Sequence, residues 1–144
     1  MRLEVLGDGP PEVAVIGGIH GDEPCGVDAV EHFLADPPDV QRPVAFVVAN
    51  EAALEAGVRY VDEDLNRAFP GDADAATHEG RLAHRLGTTL ADCETFSMHS
   101  TQSFGEPFGI VKQIDDFARA IAPRLPITAL VDAGGFDGGR LFEA

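Results

Sequence analysis

Two hydrophobic rhythms alternate along the chain: short apolar runs of strand length, and longer stretches in which valines or leucines return every three or four positions. Residues 3–6 and 13–16 read as strands, and Gly7, Asp8, Gly9, Pro10 and Pro11 between them supply turn chemistry, so an opening hairpin is expected. From Glu23 onward Val27, Val30 and Leu34 keep helical spacing. Asp22 can cap that helix, Pro24 is tolerated in its first turn, and Pro37 and Pro38 end it. Residues 44–49 are continuously apolar, as in a strand covered on both faces of a central sheet.

Residues 51–56 suit a short helix. Residues 57–71 carry charges, Asn66, Pro70 and Gly71 without a period, and read as a long loop, a feature that usually serves function inside a domain. Leu82, Leu86 and Leu90 mark an amphipathic helix over 76–91, followed by a strand at 95–99. Strands at 108–111 and 127–131 flank a helix carrying Ile114, Phe117 and Ile121. Gly134, Gly135, Gly138 and Gly139 make the tail irregular. With no repeat or low-complexity linker, this is an α/β pattern in one domain.

Charge changes the picture more than composition does. The 144 residues are 44% apolar, which is ordinary, but 25 acidic side chains against 10 basic ones give a net charge of -15. Such a surface repels nucleic acid and anionic membranes. Its acids are dispersed, and Lys112 is the only lysine, a distribution that fits a salt-adapted coat. An acidic protein of low-salt habitat would show a similar excess. No apolar run approaches the roughly 20 residues of a membrane span, and residues 1–7 lack a signal-peptide pattern, so a cytoplasmic location is expected. Cys25 and Cys93 are too few for a disulfide scaffold and are expected to be small buried residues.

Candidate chemistry begins where the strand at 13–16 gives way to a helix. Gly17-Gly18-Ile19-His20-Gly21-Asp22-Glu23 sets an imidazole and a carboxylate three residues apart, able to converge on one ion. Catalytic zinc commonly takes two histidines and a carboxylate and keeps a position for water. His99 suits the third place because it also ends a predicted strand, and strand ends of α/β sheets gather on one edge. A capped helix start with a hydrogen-bonded loop histidine would show the same His20–Glu23 pair. His32, His78 and His84 lie on helices among polar neighbours and take no role.

The loop from Arg59 through Tyr60, Asp62, Glu63, Asp64, Asn66 and Arg67 to Gly71 places two of the few basic residues together. Arginine's planar fork suits a carboxylate or a developing oxyanion. Pairing with Asp62, Glu63 or Asp64 alone would also account for them.

Gly18-Ile19-His20-Gly21-Asp22-Glu23, the Ala49-Asn50 turn, the segment Asp64 to Gly71, and His99 together resemble the succinylglutamate desuccinylase and aspartoacylase family, within the zinc-carboxypeptidase-like hydrolases. The likeness runs in order over residues 13–101. It implies a three-layer α/β/α fold with a mixed central sheet, and a catalytic domain over 1–144 without the family's C-terminal region. It further implies one Zn2+ held by His20, Glu23 and His99, carbonyl polarisation by Arg59, binding of a substrate carboxylate by Asn66 and Arg67, and orientation of the loop arginines by Asp64. The implied reaction is hydrolysis of a small N-acyl acidic amino acid, of the N-succinylglutamate or N-acetylaspartate type, by a metal-activated water.

The chain departs from the family at two places. Ser97 stands where the family has an aspartate two residues before the last zinc histidine. The family's proton-shuttling glutamate follows a later strand, and the only late glutamate here is Glu143, beyond the glycine-rich stretch; Glu106 is a poor substitute. A non-catalytic zinc and carboxylate binder, or a truncated enzyme lacking its shuttle, is therefore the alternative expectation.

Overall fold

The computed structural model describes residues 1–101, 104–134 and 141. Four strands form the main sheet: β1 (Arg2–Leu6), β2 (Val13–Gly17), β3 (Val44–Val48) and β4 (Glu94–Ser97), in the order β1-β3-β2-β4. β1 runs antiparallel to β3, while β2 is parallel to both β3 and β4, so the sheet is mixed. Helices α1 (Cys25–Ala35), α2 (Glu51–Ala56), α3 (Leu65–Ala68) and α4 (His78–Thr89) connect and cover these strands. A second, parallel pair, β5 (Phe108–Val111) and β6 (Ala129–Asp132), is joined through α5 (Asp116–Ile121) and a 3-10 turn at Ala122–Arg124.

The period-two alternation of the strands sorts two cores. Ala14, Ile16, Ala45 and Val47 pack with Leu82 and Leu86 of α4 and with Leu90 at its C-terminal cap, whereas Phe46 and Val48, with Val15 beside them, face Val27, Val30 and Leu34 of α1. The result is three layers, α4 on one side of the sheet and α1 on the other, as the resemblance implies. Each fully buried side chain of the Ile16 or Leu86 kind contributes about 1.5–3 kcal/mol by leaving water.

The parallel core of the sheet also sets where chemistry can occur. Because β2, β3 and β4 run the same way, the segments leaving them collect on one edge. That edge carries the loop after β2 with His20 and Glu23, Asn50 after β3, and His99 after β4. Two close backbone approaches hold it. A Cβ on Gly17 would lie 2.3 Å from the carbonyl of Gly26, so β2 and α1 touch main chain to main chain. A Cβ on Gly21 would lie 2.2 Å from the backbone of Ala53, so the His20 loop rests directly on α2.

Several expectations are corrected. β1 and β2 do not form a hairpin: β3 lies between them, pairing with each. β2 is apolar on both faces and needs neighbours on both sides, while β1 is mostly exposed and suits the sheet edge. Asp22 does not cap α1; the cap position is Pro24, which offers no side-chain bond. Residues 57–71 are not irregular throughout, since Asp64 caps the one-turn helix α3 by accepting from the Asn66 N–H, and buried Leu65 and Phe69 anchor it. Cys25 is exposed and Cys93 half-buried, its thiol directed at the Pro11 carbonyl. β4 ends at Ser97, which leaves His99 on the following loop. Among the described residues no helix is long and apolar enough to cross a membrane.

Candidate metal centre

Glu23 is the hub of the sheet edge. Its Oε1 lies 2.9 Å from Nδ1 of His20, and its Oε2 lies 2.9 Å from Nδ1 of His99 and accepts the Ser100 N–H at 3.1 Å. Arg59 donates to Oε1 from its Nη1, also at 2.9 Å. His20 and Glu23 are buried, at 3% and 7% exposure, whereas the His99 side chain, 32% exposed, stands at the rim.

Both imidazoles turn the same nitrogen inward and are held by the other. Nε2 of His20 lies 3.1 Å from Oδ1 of Asp64, and Nε2 of His99 lies 3.1 Å from the Ser97 hydroxyl. That back-side support is how proteins orient metal-ligating histidines. Ser97 thus occupies the supporting position with a neutral hydroxyl, where the resemblance leads one to expect a carboxylate. One ligand atom from each of His20, Glu23 and His99 falls within 4.8 Å of the others. Two donors each about 2.1 Å from a shared ion lie at most about 4.2 Å apart, so the cluster is close to coordination size. A set of two imidazoles and one carboxylate also has the donor chemistry of a catalytic zinc site. The residues present fit a metal.

Electrostatics agree with an anionic hub. Burial alone would push the Glu23 carboxyl up, but the His20 and His99 imidazoles and the Ser100 N–H outweigh it and hold Glu23 below the ordinary carboxylate value. Asp64 is likewise held low against its burial, by the hydrogen bond to His20, the charge of that imidazole, the Asn66 N–H and Arg59. Burial drives His99 the other way: desolvation lowers it, and the Glu23 carboxylate only partly compensates. A neutral imidazole is the form that ligates.

Not every residue singled out by sequence joins the cluster. Arg59 does, lying 3.9 Å from Asp22 and 3.7 Å from Asp64 besides its bond to Glu23. Asp64 sits closer to His20 than to Arg59, so its nearest service is to the imidazole. Asn66 is half-buried, and the exposed Arg67 donates to the Asn66 carbonyl rather than into the centre. Glu106 is exposed, and Glu143 lies outside the described residues. A hollow of about 210 Å³ opens on the cluster between Asp22, Glu23, Arg59, Ser100 and Thr101. A larger one of about 730 Å³, bounded by Gly71, His84, Cys93 and Ile110, shares no residue with the metal cluster. We assign the chemistry to the smaller hollow because the ionisable groups converge there.

The sequence reading missed Glu79. This fully buried carboxylate in the first turn of α4 accepts the Asn50 side-chain amide at 2.9 Å and the backbone N–H groups of Val61, Asp62 and Glu63 at 2.7, 3.0 and 3.3 Å. In sequence, an acid two residues after Thr77 is what any favourable helix start shows, so nothing distinguished it.

Comparison with known proteins agrees with this geometry. An N-acyl-aromatic-L-amino acid amidohydrolase (carboxylate-forming) from Xenopus tropicalis is 44% identical over an alignment 126 residues long that covers 77% of this chain and 40% of that protein. The crystal structure of murine aminoacylase 3 superposes with a TM-score of 0.72 at 25% identity, covering 94% of this chain and 52% of that one. An aspartoacylase family protein from Mesorhizobium loti superposes at 0.78 with 24% identity, covering 98% and 50%, and so shares the fold. The chain therefore spans about half the length of such relatives. The family model for the succinylglutamate desuccinylase/aspartoacylase catalytic domain matches residues 10–106, and the chain belongs to that family.

Proposed function

We propose that this chain is the zinc-binding catalytic part of an amidohydrolase that cleaves N-acyl amino acids, with a small acidic substrate of the N-acetylaspartate or N-succinylglutamate type. The observation that carries this reading is the convergence of two Nδ1 atoms and one guanidinium on the single carboxylate of Glu23. His20, Glu23 and His99 would hold one Zn2+, which when bound supplies Lewis acidity and an acidified water.

The chain's own residues divide the remaining work. Asp64 and Ser97 fix the imidazoles from behind, so that their inward nitrogens need no reorientation. Arg59, whose side chain is 43% exposed and lines the hollow, would offer donors to a carbonyl oxygen on which negative charge grows. Asn66 and the exposed Arg67 offer amide and guanidinium donors to a substrate carboxylate. Glu143 carries the proton from water to the leaving amine in this assignment, which rests on its place in the chain. The dispersed acidic surface fits a protein that works in salt.

A second reading, a zinc and carboxylate binder without turnover, has one observation in its favour. Each described carboxylate at the hollow or behind it, Asp22, Glu23 and Asp64, already faces Arg59 or an imidazole, which leaves none of them placed to accept a proton. The zinc-loaded protein, incubated with N-acetylaspartate, N-succinylglutamate and an N-acyl aromatic amino acid, separates the two. Release of a free amine from one of them is expected, with the acidic substrates preferred. Stoichiometric zinc with no product from any of the three supports the binder.

A further inference from the structure

The buried carboxylate of Glu79 lies outside the metal cluster, yet its contacts run to the loop that feeds it. Glu79 is 0% exposed, and among the described residues its side chain accepts from Asn50 and from residues 61–63. Arg59 stands just before that stretch and Asp64 just after it. Asn50 in turn caps α2 by accepting the Ala53 N–H, and α2 is the helix on which Gly21 of the His20 loop rests. The surrounding bonds tighten the same stretch: Asp62 accepts the His78 N–H at 2.7 Å, and the Thr77 hydroxyl donates to Glu63.

A buried carboxylate is costly unless its lone pairs are filled, and here three successive backbone N–H groups and one amide fill them. Hydrogen bonds to a charged acceptor are about twice as strong as neutral ones, so these bonds attach the loop firmly to the body of the protein. Three donors in a row meeting one anion also define the path of the backbone, since each N–H must point inward. The placement of Arg59 and Asp64 follows from that path.

We infer that Glu79 is a positioning residue: its carboxylate pins residues 61–63 so that Arg59 reaches Glu23 and Asp64 reaches Nε2 of His20. It makes no bond to His20, Glu23 or His99, and acts through the backbone it holds. The consequence for zinc rests on the function proposed above, whereas the pinning itself does not.

The test uses Glu79→Gln in the full chain, because glutamine keeps the shape while losing the charge and turning an amide donor toward the loop N–H groups. Tyr60, the only tyrosine in a protein without tryptophan, sits beside the pinned residues and reports on them by fluorescence. We expect acrylamide to quench Tyr60 at least twofold more strongly in E79Q, and trypsin to cut after Arg59 about tenfold faster, as an opened loop exposes its backbone. In zinc titrations against a chromophoric chelator, E79Q and Asp64→Asn should each weaken binding about tenfold, and the double variant little more than either alone, because the first acts through the second.

Unchanged Tyr60 quenching and tryptic cleavage in folded E79Q overturn the inference. An additive, roughly hundredfold loss in the double variant overturns the route through Asp64. Should E79Q not fold, Glu79→Asp, which keeps the charge but falls short of the loop, carries the same expectations. If the wild type itself takes up no zinc, the proposed function fails, and the quenching and cleavage results still decide the role of Glu79.

Discussion

Nε2 of His20 lies 3.1 Å from Oδ1 of Asp64, across 44 residues of chain, while Nδ1 of the same ring faces Glu23 at 2.9 Å. The imidazole is therefore gripped between two carboxylates, one that would share its metal and one that fixes its plane. Asp64→Asn leaves the shape of that contact but removes the charge. Zinc affinity should fall about tenfold, measured by chelator competition, with the fold unchanged by circular dichroism.

Among the described residues, Arg59 is the one guanidinium in contact with the hub carboxylate. In Arg59→Lys a positive charge remains but the planar fork is lost. We expect one zinc per chain to be retained and kcat for N-acyl amino acid hydrolysis to fall about 100-fold, with a smaller change in KM. A kcat close to wild type would remove Arg59 from the chemistry.

The loop that carries His20 leaves no room at Gly21, where an added Cβ would meet the Ala53 backbone at 2.2 Å. Gly21→Ala must displace α2 or the loop, because the obstacle is main chain. Urea unfolding should show a loss of about 1–3 kcal/mol, accompanied by weaker zinc binding. Gly57→Ala, where nothing lies within 4 Å, should leave zinc binding as it is and cost only the strain of its positive φ of 65°.

Glu79 gives a pH dependence of definite sign. Burial opposes its ionisation, but the Val61 N–H, the Asn50 amide and the Asp62 and Glu63 N–H groups hold it below the ordinary glutamate value of 4.5. The unfolded chain then binds the proton more readily, so this contribution to stability is complete above about 4.5 and is lost as pH falls through the lower folded value. Chemical denaturation below pH 4.5 should show a shallower acid loss in E79Q than in the wild type, after allowance for its lower plateau.

Much of the cluster was legible in the sequence because its three residues sit just beyond strand ends. His20 and Glu23 follow a glycine pair after an apolar run, and His99 follows another, so the rule that parallel strands empty onto one edge brought them together before any coordinates. What could not be read were relationships that depend on pairing partners. The glycine and proline turn after β1 suits a hairpin equally well, and only the two-faced burial of β2 decides that β3 intervenes. Glu79 was hidden for a similar reason, since its first-turn position explains it without the loop that encloses it. Arg67 stands apart from the cluster, its exposed side chain donating to the Asn66 carbonyl one residue away, so its part in binding a substrate carboxylate rests on the resemblance alone.

The central claim, that His20, Glu23 and His99 share one metal ion, is tested most directly by metal analysis of exhaustively dialysed protein after loading with zinc. The wild type should retain one zinc per chain, and His20→Ala and Glu23→Gln should each retain close to none while remaining folded. A wild type that emerges without zinc, or a folded His20→Ala variant that holds as much as the wild type, would contradict it.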